Sequence, residues 1–310
     1  MILEKIKQRL MLMFSLDLRS LALMRILFSL VLLFDILNRS RSIIAGYTDI
    51  GVFPRKLLIE YNSEWIFSLH MLNGTWQFQA ILLAIAFVFG VMLLAGYKTR
   101  LATIISWIFL ISLQSRNPMI LQGGDVLMRM ALFWAIFLPW GRYFSVDSAL
   151  TPYKPEEKEA NNTYFSGATI AYIFQIAMVY WFAALFKTGA EWLQDGTAVY
   201  YALSLDQFST PIGKFLLHIP YFSKVMTPAT LLQEGLGPFT FFFPIFTSYF
   251  RLFGALSFIG LQAGFGASMH LGPFPFIGIA TAAVLLPGLF WDALLTWHKK
   301  RKRSQITIYY

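Results

Sequence analysis

A lysine stands where a long apolar stretch of this chain ends. Residues 165–186 contain no charged side chain, Lys187 follows them directly, and Glu191 comes four residues later. Desolvation at the end of an apolar helix disfavours the ammonium form of a lysine, so Lys187 is a candidate base near neutral pH. Glu191 opposes this effect because a nearby carboxylate stabilises the ammonium. The alternative is that Lys187 only extends to the lipid headgroups.

Other polar residues also interrupt apolar stretches. Charged groups inside a bilayer are costly and usually face a bundle interior or a wet cavity. The sequence therefore predicts one polar pocket, to which Asp35 also contributes. The catalytic candidates besides Lys187 are Glu191, Asp125 and His270, and the candidates for binding a cofactor are Asn117, Glu234, Trp192 and Tyr200.

Several of these residues have structural alternatives. Asp125 and Arg129 have the i,i+4 spacing of an ion pair on one helix. His270 fits a helix cap or a hydrogen bond in the core, and Glu234 fits a cap or a helix interruption. The four histidines are far apart in the sequence, so no dedicated metal site is predicted.

The composition is that of a membrane protein. Hydrophobic residues make up 57% of the chain and charged residues 13%, and the mean hydropathy is +0.59. One soluble core cannot bury so much apolar surface. The chain has no cysteine, which excludes disulfides and thiolate metal sites, so redox chemistry needs a cofactor.

The apolar stretches predict an all-α, polytopic helical bundle in the membrane. About 20 apolar residues cross a bilayer as a helix. We expect an amphipathic interfacial helix at 1–18, a transmembrane domain at 19–297 and a basic cytoplasmic tail at 298–310. About eight spans are predicted, near 21–37, 76–96, 101–113, 127–140, 165–186, 228–249, 252–269 and 275–291. Pro273, Pro275 and Pro287 predict that the last of them is kinked or broken.

Lysine and arginine predict the orientation. With eight spans, the basic amino-terminal helix, the turn at 97–100 and the tail share one side, which we expect to be cytoplasmic, together with a charged linker at 154–159. The polar pocket then opens outward. Orientation also accounts for the net charge of +9, so no nucleic-acid partner is expected. Arg25 and Arg251 are interpreted as topological, whereas four outer-loop cations oppose the model: Arg39, Arg41, Arg55 and Lys56.

Several motifs resemble the HTTM (horizontally transferred transmembrane) domain, which is the membrane domain of vitamin K-dependent gamma-glutamyl carboxylases. They begin with 25–37 and 47–55 and continue with the span-ending turn at 94–100. The segment Gly123-Gly124-Asp125 and the segment 186–192, which contains Lys187, follow. The resemblance covers about residues 20–295.

The resemblance implies a chemistry for Lys187. In the carboxylases a lysine at the matching position deprotonates a reduced naphthoquinone so that O2 adds to it, the quinone becomes an epoxide, and a glutamate takes up CO2. The implied cofactor is a reduced quinone, either vitamin K hydroquinone or menaquinol. Two departures stand out: Gly124 and Asp125 replace an asparagine and a histidine, and the chain ends soon after its last span. Carboxylation of protein substrates is therefore not expected.

The sequence thus leaves three classes of function open. The first is a quinol-dependent oxidation or carboxylation enzyme with Lys187 as its base. The second is a transporter of a small molecule or lipid, and the third is a non-catalytic membrane scaffold with an unknown protein partner.

Overall fold

The fold is almost entirely helical in the computed structural model, which describes residues 2–61, 67–151 and 162–306. The predicted linker at 154–159 and the end of the predicted tail lie outside these ranges. The helices are α1 Ile2–Phe14, α2 Leu18–Ser40, α3 Ile43–Tyr47, α4 Arg55–Tyr61, α5 Trp76–Ala95, α6 Thr99–Arg116, α7 Gly123–Ala135, α8 Val146–Leu150, α9 Gly167–Leu185, α10 Ala190–Leu193, α11 Ala198–Ser204, α12 Pro211–Leu217, α13 Phe222–Leu236, α14 Thr247–Ser268, α15 Phe274–Ala283 and α16 Gly288–Ile306. Short 3-10 helices occur at Leu69–Met71, Pro118–Ile120 and Gly237–Phe241.

The chain divides into two compact units. Residues 22–153 and 271–281 form one, which we call the Arg39 unit. Residues 1–21, 154–270 and 282–310 form the other, the Lys187 unit. Each unit is therefore assembled from segments that are distant in the sequence.

Within the described ranges, four helices are long and apolar enough to cross a membrane: Leu18–Ser40, Trp76–Ala95, Gly167–Leu185 and Thr247–Ser268. The bent pair Phe274–Ala283 and Gly288–Lys299 adds a fifth if it counts as one span. These helices support an integral membrane protein. The four helices and the bent pair match five of the predicted spans in position. Helix length and composition alone do not confirm the predicted total of eight spans.

Three predicted spans differ from single long helices in the described chain. The predicted span 228–249 is interrupted because α13 ends at Leu236, a 3-10 helix follows, and α14 begins only at Thr247. Pro238 and Pro244 lack the amide hydrogen that would continue the helix.

The other two differences also occur near prolines. The helix in the predicted span 127–140 ends at Ala135, shortly before Pro139. The predicted span 275–291 is broken between Ala283 and Gly288, where Pro287 lies. Hydropathy does not register these breaks, because it measures how apolar a segment is and not whether its backbone hydrogen bonds continue.

The Arg39 unit is organised around a buried arginine. Helices α5 and α6 pack against each other and are joined by a tight turn in which Gly96 has φ 69°. The Arg25 guanidinium is fully buried. It donates hydrogen bonds to the carbonyl oxygens of Leu93 (2.6 Å), Leu94 (2.7 Å), Trp140 (3.2 Å) and Phe144 (2.6 Å). The interpretation of Arg25 as merely topological is wrong, because its donors bind the backbone where helices end.

The Lys187 unit contains a similar arginine. Arg251 on α14 is 5% exposed and donates to the carbonyl oxygens of Ser15 (2.6 Å) and Met13. Met13 lies in the last turn of α1 and Ser15 follows this helix, and next to them β1 (Leu16–Asp17) pairs antiparallel with β2 (Thr163–Tyr164). Arg251 therefore also has a structural role and not only a topological one.

Candidate active site

Lys187 lies just beyond the carboxyl end of α9. A capping box between Ser166 and Thr169 starts this helix, which ends at Leu185. The Lys187 backbone N–H donates to the carbonyl oxygen of Ala184 (3.1 Å), and its Nζ donates to that of Ala183 (3.2 Å). The side chain therefore folds back over the last turn of α9, where unpaired carbonyl oxygens attract a cation.

The ion-pair partner of Lys187 is Glu234 on α13. Nζ of Lys187 donates a hydrogen bond to Oε2 of Glu234, and the side chains are 20% and 5% exposed, respectively. The lysine nitrogen also lies 5.0 Å from the centroid of the Trp192 ring, within the range of a cation–π contact. Carboxylate, amine and aromatic ring form one cluster, in which the carboxylate is buried and the amine and the ring are both partly exposed.

Direct contacts hold α9 and α13 in register at this cluster. The Trp181 indole N–H on α9 donates to the carbonyl oxygen of Gly235 (3.2 Å). A Cβ atom at Gly235 would lie 3.8 Å from Cβ of Ala184, so the two helices approach closely there. Glu234 is next to Gly235 in the chain, and this packing aims its carboxylate at Lys187.

Glu191, Tyr200 and His270 make other contacts. The Glu191 carboxylate folds over Gly189, where a Cβ atom would collide with it. Tyr200 is exposed on α11, and the imidazole of His270 is exposed after α14. In the described parts of the chain none of the three forms a hydrogen bond or an ion pair with Lys187. The roles predicted for them remain predictions.

A second charged cluster lies in the Arg39 unit. Arg39 donates to Asp35 (2.8 Å), to Asp125 and to the Tyr47 hydroxyl (2.9 Å). We call these four residues the Arg39 cluster. Its charged side chains are between 1% and 9% exposed. The alternative that Asp125 pairs with Arg129 is wrong, because the Asp125 carboxylate forms its ion pair with Arg39.

Asn117 is bonded to backbone at both ends of its amide. Its Nδ2 donates to the carbonyl oxygen of Gly46 (2.9 Å), and its Oδ1 accepts from the N–H of Met119 (3.1 Å). Asn117 thus begins the 3-10 helix Pro118–Ile120 and anchors it to α3. Its predicted part in binding a cofactor remains a prediction. Within the described ranges no group of three or more His, Cys, Asp or Glu residues could hold a metal ion.

Two cations that opposed the predicted orientation are paired. Arg39 belongs to its cluster, and Arg55 binds Asp49 at 2.6 Å. The hydrogen bonds from Arg55 are the main reason why the pKa of Asp49 is lowered. Sequence reasoning overlooked Arg39 as a partner of Asp125, although the i,i+4 spacing of Asp35 and Arg39 was an available signal.

Comparison with known proteins identifies one family. The family model described as the HTTM domain matches residues 15–288, which is nearly the whole chain. No curated protein matches the chain, and neither does any solved structure.

Proposed function

Because this chain belongs to the HTTM domain family, we propose that it is a membrane enzyme that oxidises a quinol and uses Lys187 as its base. The observation that carries the proposal is the pairing of Lys187 with the buried Glu234 beside Trp192. A lysine at this position in the related carboxylases is the base that acts on a reduced naphthoquinone. In this chain the Glu234 carboxylate, paired with Lys187, is a nearby acceptor for the proton of the lysine ammonium group.

The cluster fits a quinol in its chemistry. The Lys187 amine suits a hydroxyl group, and the Trp192 ring suits a flat aromatic ligand. A reduced quinone, menaquinol or vitamin K hydroquinone, would supply the electrons that reduce O2. The product would be a quinone epoxide, and CO2 would be consumed only if an acceptor is carboxylated.

Glu234 gives Lys187 a way to act as a base. A protonated lysine accepts no further proton, but the hydrogen bond lets a proton move from Nζ to Oε2. An uncharged pair costs less to bury than two ions, which favours this transfer when a ligand covers the site. The neutral amine then takes a hydroxyl proton from the ligand. In sum, one proton passes to Glu234 and Lys187 relays it.

The proposal includes the eight-span arrangement. Four long helices and the bent pair supply five crossings, and α6, α7 and α13 would supply three more. With 18 residues, α6 is about 27 Å long, close to the thickness of a hydrocarbon core. In this arrangement 1–18 is an interfacial helix, 19–297 the membrane domain and 298–310 a basic tail. Both termini are cytoplasmic, and the Lys187 site faces outward.

The natural absence of cysteine makes this topology testable. Single cysteines replace Lys56 in the predicted outer loop and His298 in the predicted tail, and intact cells receive a membrane-impermeant maleimide. We expect Lys56→Cys to be labelled in intact cells and His298→Cys only after lysis. The opposite pattern would overturn the orientation.

The enzymatic proposal is tested with purified protein and reduced menaquinone or vitamin K. Mass spectrometry measures the epoxide, and an electrode measures O2 uptake, for wild type, Lys187→Ala and Lys214→Ala. Lys214 is the matched control, because it is an exposed lysine of the same unit. We expect epoxide from wild type and from Lys214→Ala, and none from a folded Lys187→Ala. The absence of epoxide from folded wild type would reject the proposal for these quinols.

One observation favours a transporter as the second candidate. The Arg39 cluster holds two carboxylates and one guanidinium, so a bound proton or other cation would balance its charge. Proteoliposomes containing wild type or Asp125→Asn would be compared for flux of protons and small cations. Flux that is lost in Asp125→Asn would support transport.

A further inference from the structure

A cleft of about 340 Å³ lies in the Lys187 unit. The start of α11, the end of α12 and the start of α13 surround it, and three segments form its wall: 196–200, 217–220 and 221–224. The polar side chains in this wall belong to Thr197, Tyr200, His218, Tyr221, Ser223 and Lys224. None of the residues above takes part in the Lys187 cluster.

The wall of the cleft favours an anion. Lys224 and His218 bring cationic or ionisable nitrogens, and the described residues of the wall include no carboxylate. His218 has Nδ1 2.9 Å from the carbonyl oxygen of Lys214, so Nδ1 carries the hydrogen and Nε2 remains available to a ligand.

The cleft wall also contains polar groups without a hydrogen-bond partner in the described part of the chain. The Thr197 hydroxyl oxygen is buried, although its residue is not, and has no hydrogen-bond partner among the described residues. The chain turns sharply at Tyr221, with φ 60°, and α13 starts at the next residue. The N–H groups of Ser223 and Lys224 belong to the first turn of this 15-residue helix and have no partner within it.

We propose that this cleft binds a phosphate group. A phosphate offers several acceptor oxygens. The cleft offers hydrogen-bond donors from Lys224, from the hydroxyl groups of Thr197 and Ser223, and from the start of α13, and the described residues of its wall include no carboxylate that would repel an anion. The group belongs either to a phospholipid headgroup or to a soluble phosphate. Tyr200 and Tyr221 are 49% and 77% exposed at the rim, where tyrosine suits a membrane interface.

The site is independent of the quinol chemistry. One link between the two sites is a backbone hydrogen bond, in which the N–H of Thr197 donates to the carbonyl oxygen of Glu191 (2.9 Å) in the short helix that contains Trp192. Loss of phosphate binding would leave the proposal for Lys187 untouched, and the reverse also holds.

Two probes distinguish the sources of the phosphate. Purified protein in detergent is titrated with inorganic phosphate, and binding is measured by calorimetry. The second probe is a lipid. The protein is placed in phosphatidylcholine nanodiscs with or without phosphatidic acid as about one lipid in five, and native mass spectrometry shows which lipid it retains. The variants are Lys224→Gln and Thr197→Val, and Lys214→Gln is the control, because Lys214 is exposed and outside the cleft wall.

The expected result is binding of at least one probe by wild type and by Lys214→Gln. Lys224→Gln should weaken it about tenfold, as the loss of a charge-assisted hydrogen bond implies, and Thr197→Val should weaken it several-fold. Binding of inorganic phosphate supports a soluble ligand, and retention of phosphatidic acid alone supports a lipid headgroup. Binding of neither probe, or binding that both cleft variants leave unchanged, overturns the proposal.

Discussion

The Lys187–Glu234 pair and the Arg39 cluster place charge inside apolar surroundings in two different ways. In the Lys187 unit one cation meets one carboxylate, and the cation remains 20% exposed. In the Arg39 cluster one guanidinium serves two carboxylates and a phenol, and its charged side chains are at most 9% exposed. The first arrangement is balanced and open, whereas the second is unbalanced and closed.

This difference separates chemistry from architecture. A base must reach its substrate, so an open pair suits proton transfer. A closed cluster of many hydrogen bonds fixes the helices that carry it, and removal of one member leaves buried charges without a partner. Four predictions test whether the two regions differ in this way.

The largest effect is expected for Arg39→Gln. The variant leaves Asp35 and Asp125 buried without their cation, which should reduce the free energy of unfolding by about 3–5 kcal/mol. Chemical denaturation in detergent measures the change. Arg41→Gln is the matched control, since Arg41 is exposed and should tolerate the substitution. A fully stable Arg39→Gln would show that the cluster is not closed.

A second effect in the Arg39 unit depends on pH. Burial, assisted by the Arg116 cation, lowers the pKa of His70 to about 4. The unfolded chain, with a histidine pKa of about 6.5, binds the proton first, so stability falls as the pH drops from about 6.5 to about 4. The loss amounts to about 3 kcal/mol. Unfolding of wild type and His70→Gln across this range measures it.

His218→Gln is the control for His70, because His218 is an exposed histidine in the other unit. His70→Gln should flatten the pH dependence, and His218→Gln should keep it. An unchanged slope in His70→Gln would contradict the assignment.

A smaller effect is expected at the open pair. In a double-mutant cycle of Lys187→Met and Glu234→Gln, the coupling free energy should be about 1–3 kcal/mol. The partly exposed lysine regains solvent in Glu234→Gln, and the single carboxyl group left in Lys187→Met can take up a proton and become neutral, so each single variant should fold. The exposed pair of Lys214 and Asp206 is the control, and we expect no measurable coupling there. A coupling as large as the loss in Arg39→Gln would remove the distinction between the two regions.

The smallest effect concerns Asp147, near the turn that joins α5 and α6. Burial alone would raise the pKa of Asp147, but hydrogen bonds from Thr99 and from the N–H of Lys98 lower it below its ordinary value. The stabilisation is present above the unfolded pKa of about 3.9 and is lost as the pH falls through the lowered value. Solvent screening limits it to about 1 kcal/mol or less. Asp147→Asn should remove this acid dependence, and Asp195→Asn should preserve it in unfolding experiments below pH 5.

The long membrane helices could be predicted from the sequence. Hydropathy located α2, α5, α9 and α14 because each is a continuous apolar run of sufficient length. It missed the interruption at 228–249, where prolines lie inside an equally apolar segment, whereas the break that the prolines of 275–291 predict is confirmed. A hydropathy window averages over such interruptions.

The candidate site was predictable only residue by residue. Lys187 and Glu234 were both identified as polar residues at apolar boundaries, but nothing in the sequence indicated that they pair. Forty-seven positions separate them, and the packing of α9 on α13 brings them together. Sequence proximity was misleading for Asp125, because Arg129 is close to it in the sequence and tertiary packing supplies Arg39 instead.

During synthesis of the chain, Arg25 is made long before the residues whose carbonyl oxygens accept its hydrogen bonds. The last of them belongs to Phe144, so α2 first enters the membrane with a guanidinium that has no protein partner. Insertion scales assign about 2.5–3.5 kcal/mol to an arginine at the centre of a span, and Arg25, which lies nearer the start of α2 than its centre, carries a smaller cost until these partners exist. We therefore expect α2 to be less stably inserted in the bilayer until synthesis has passed α7. A chain that stops before this point would lose its first helix from the membrane more readily than a complete one.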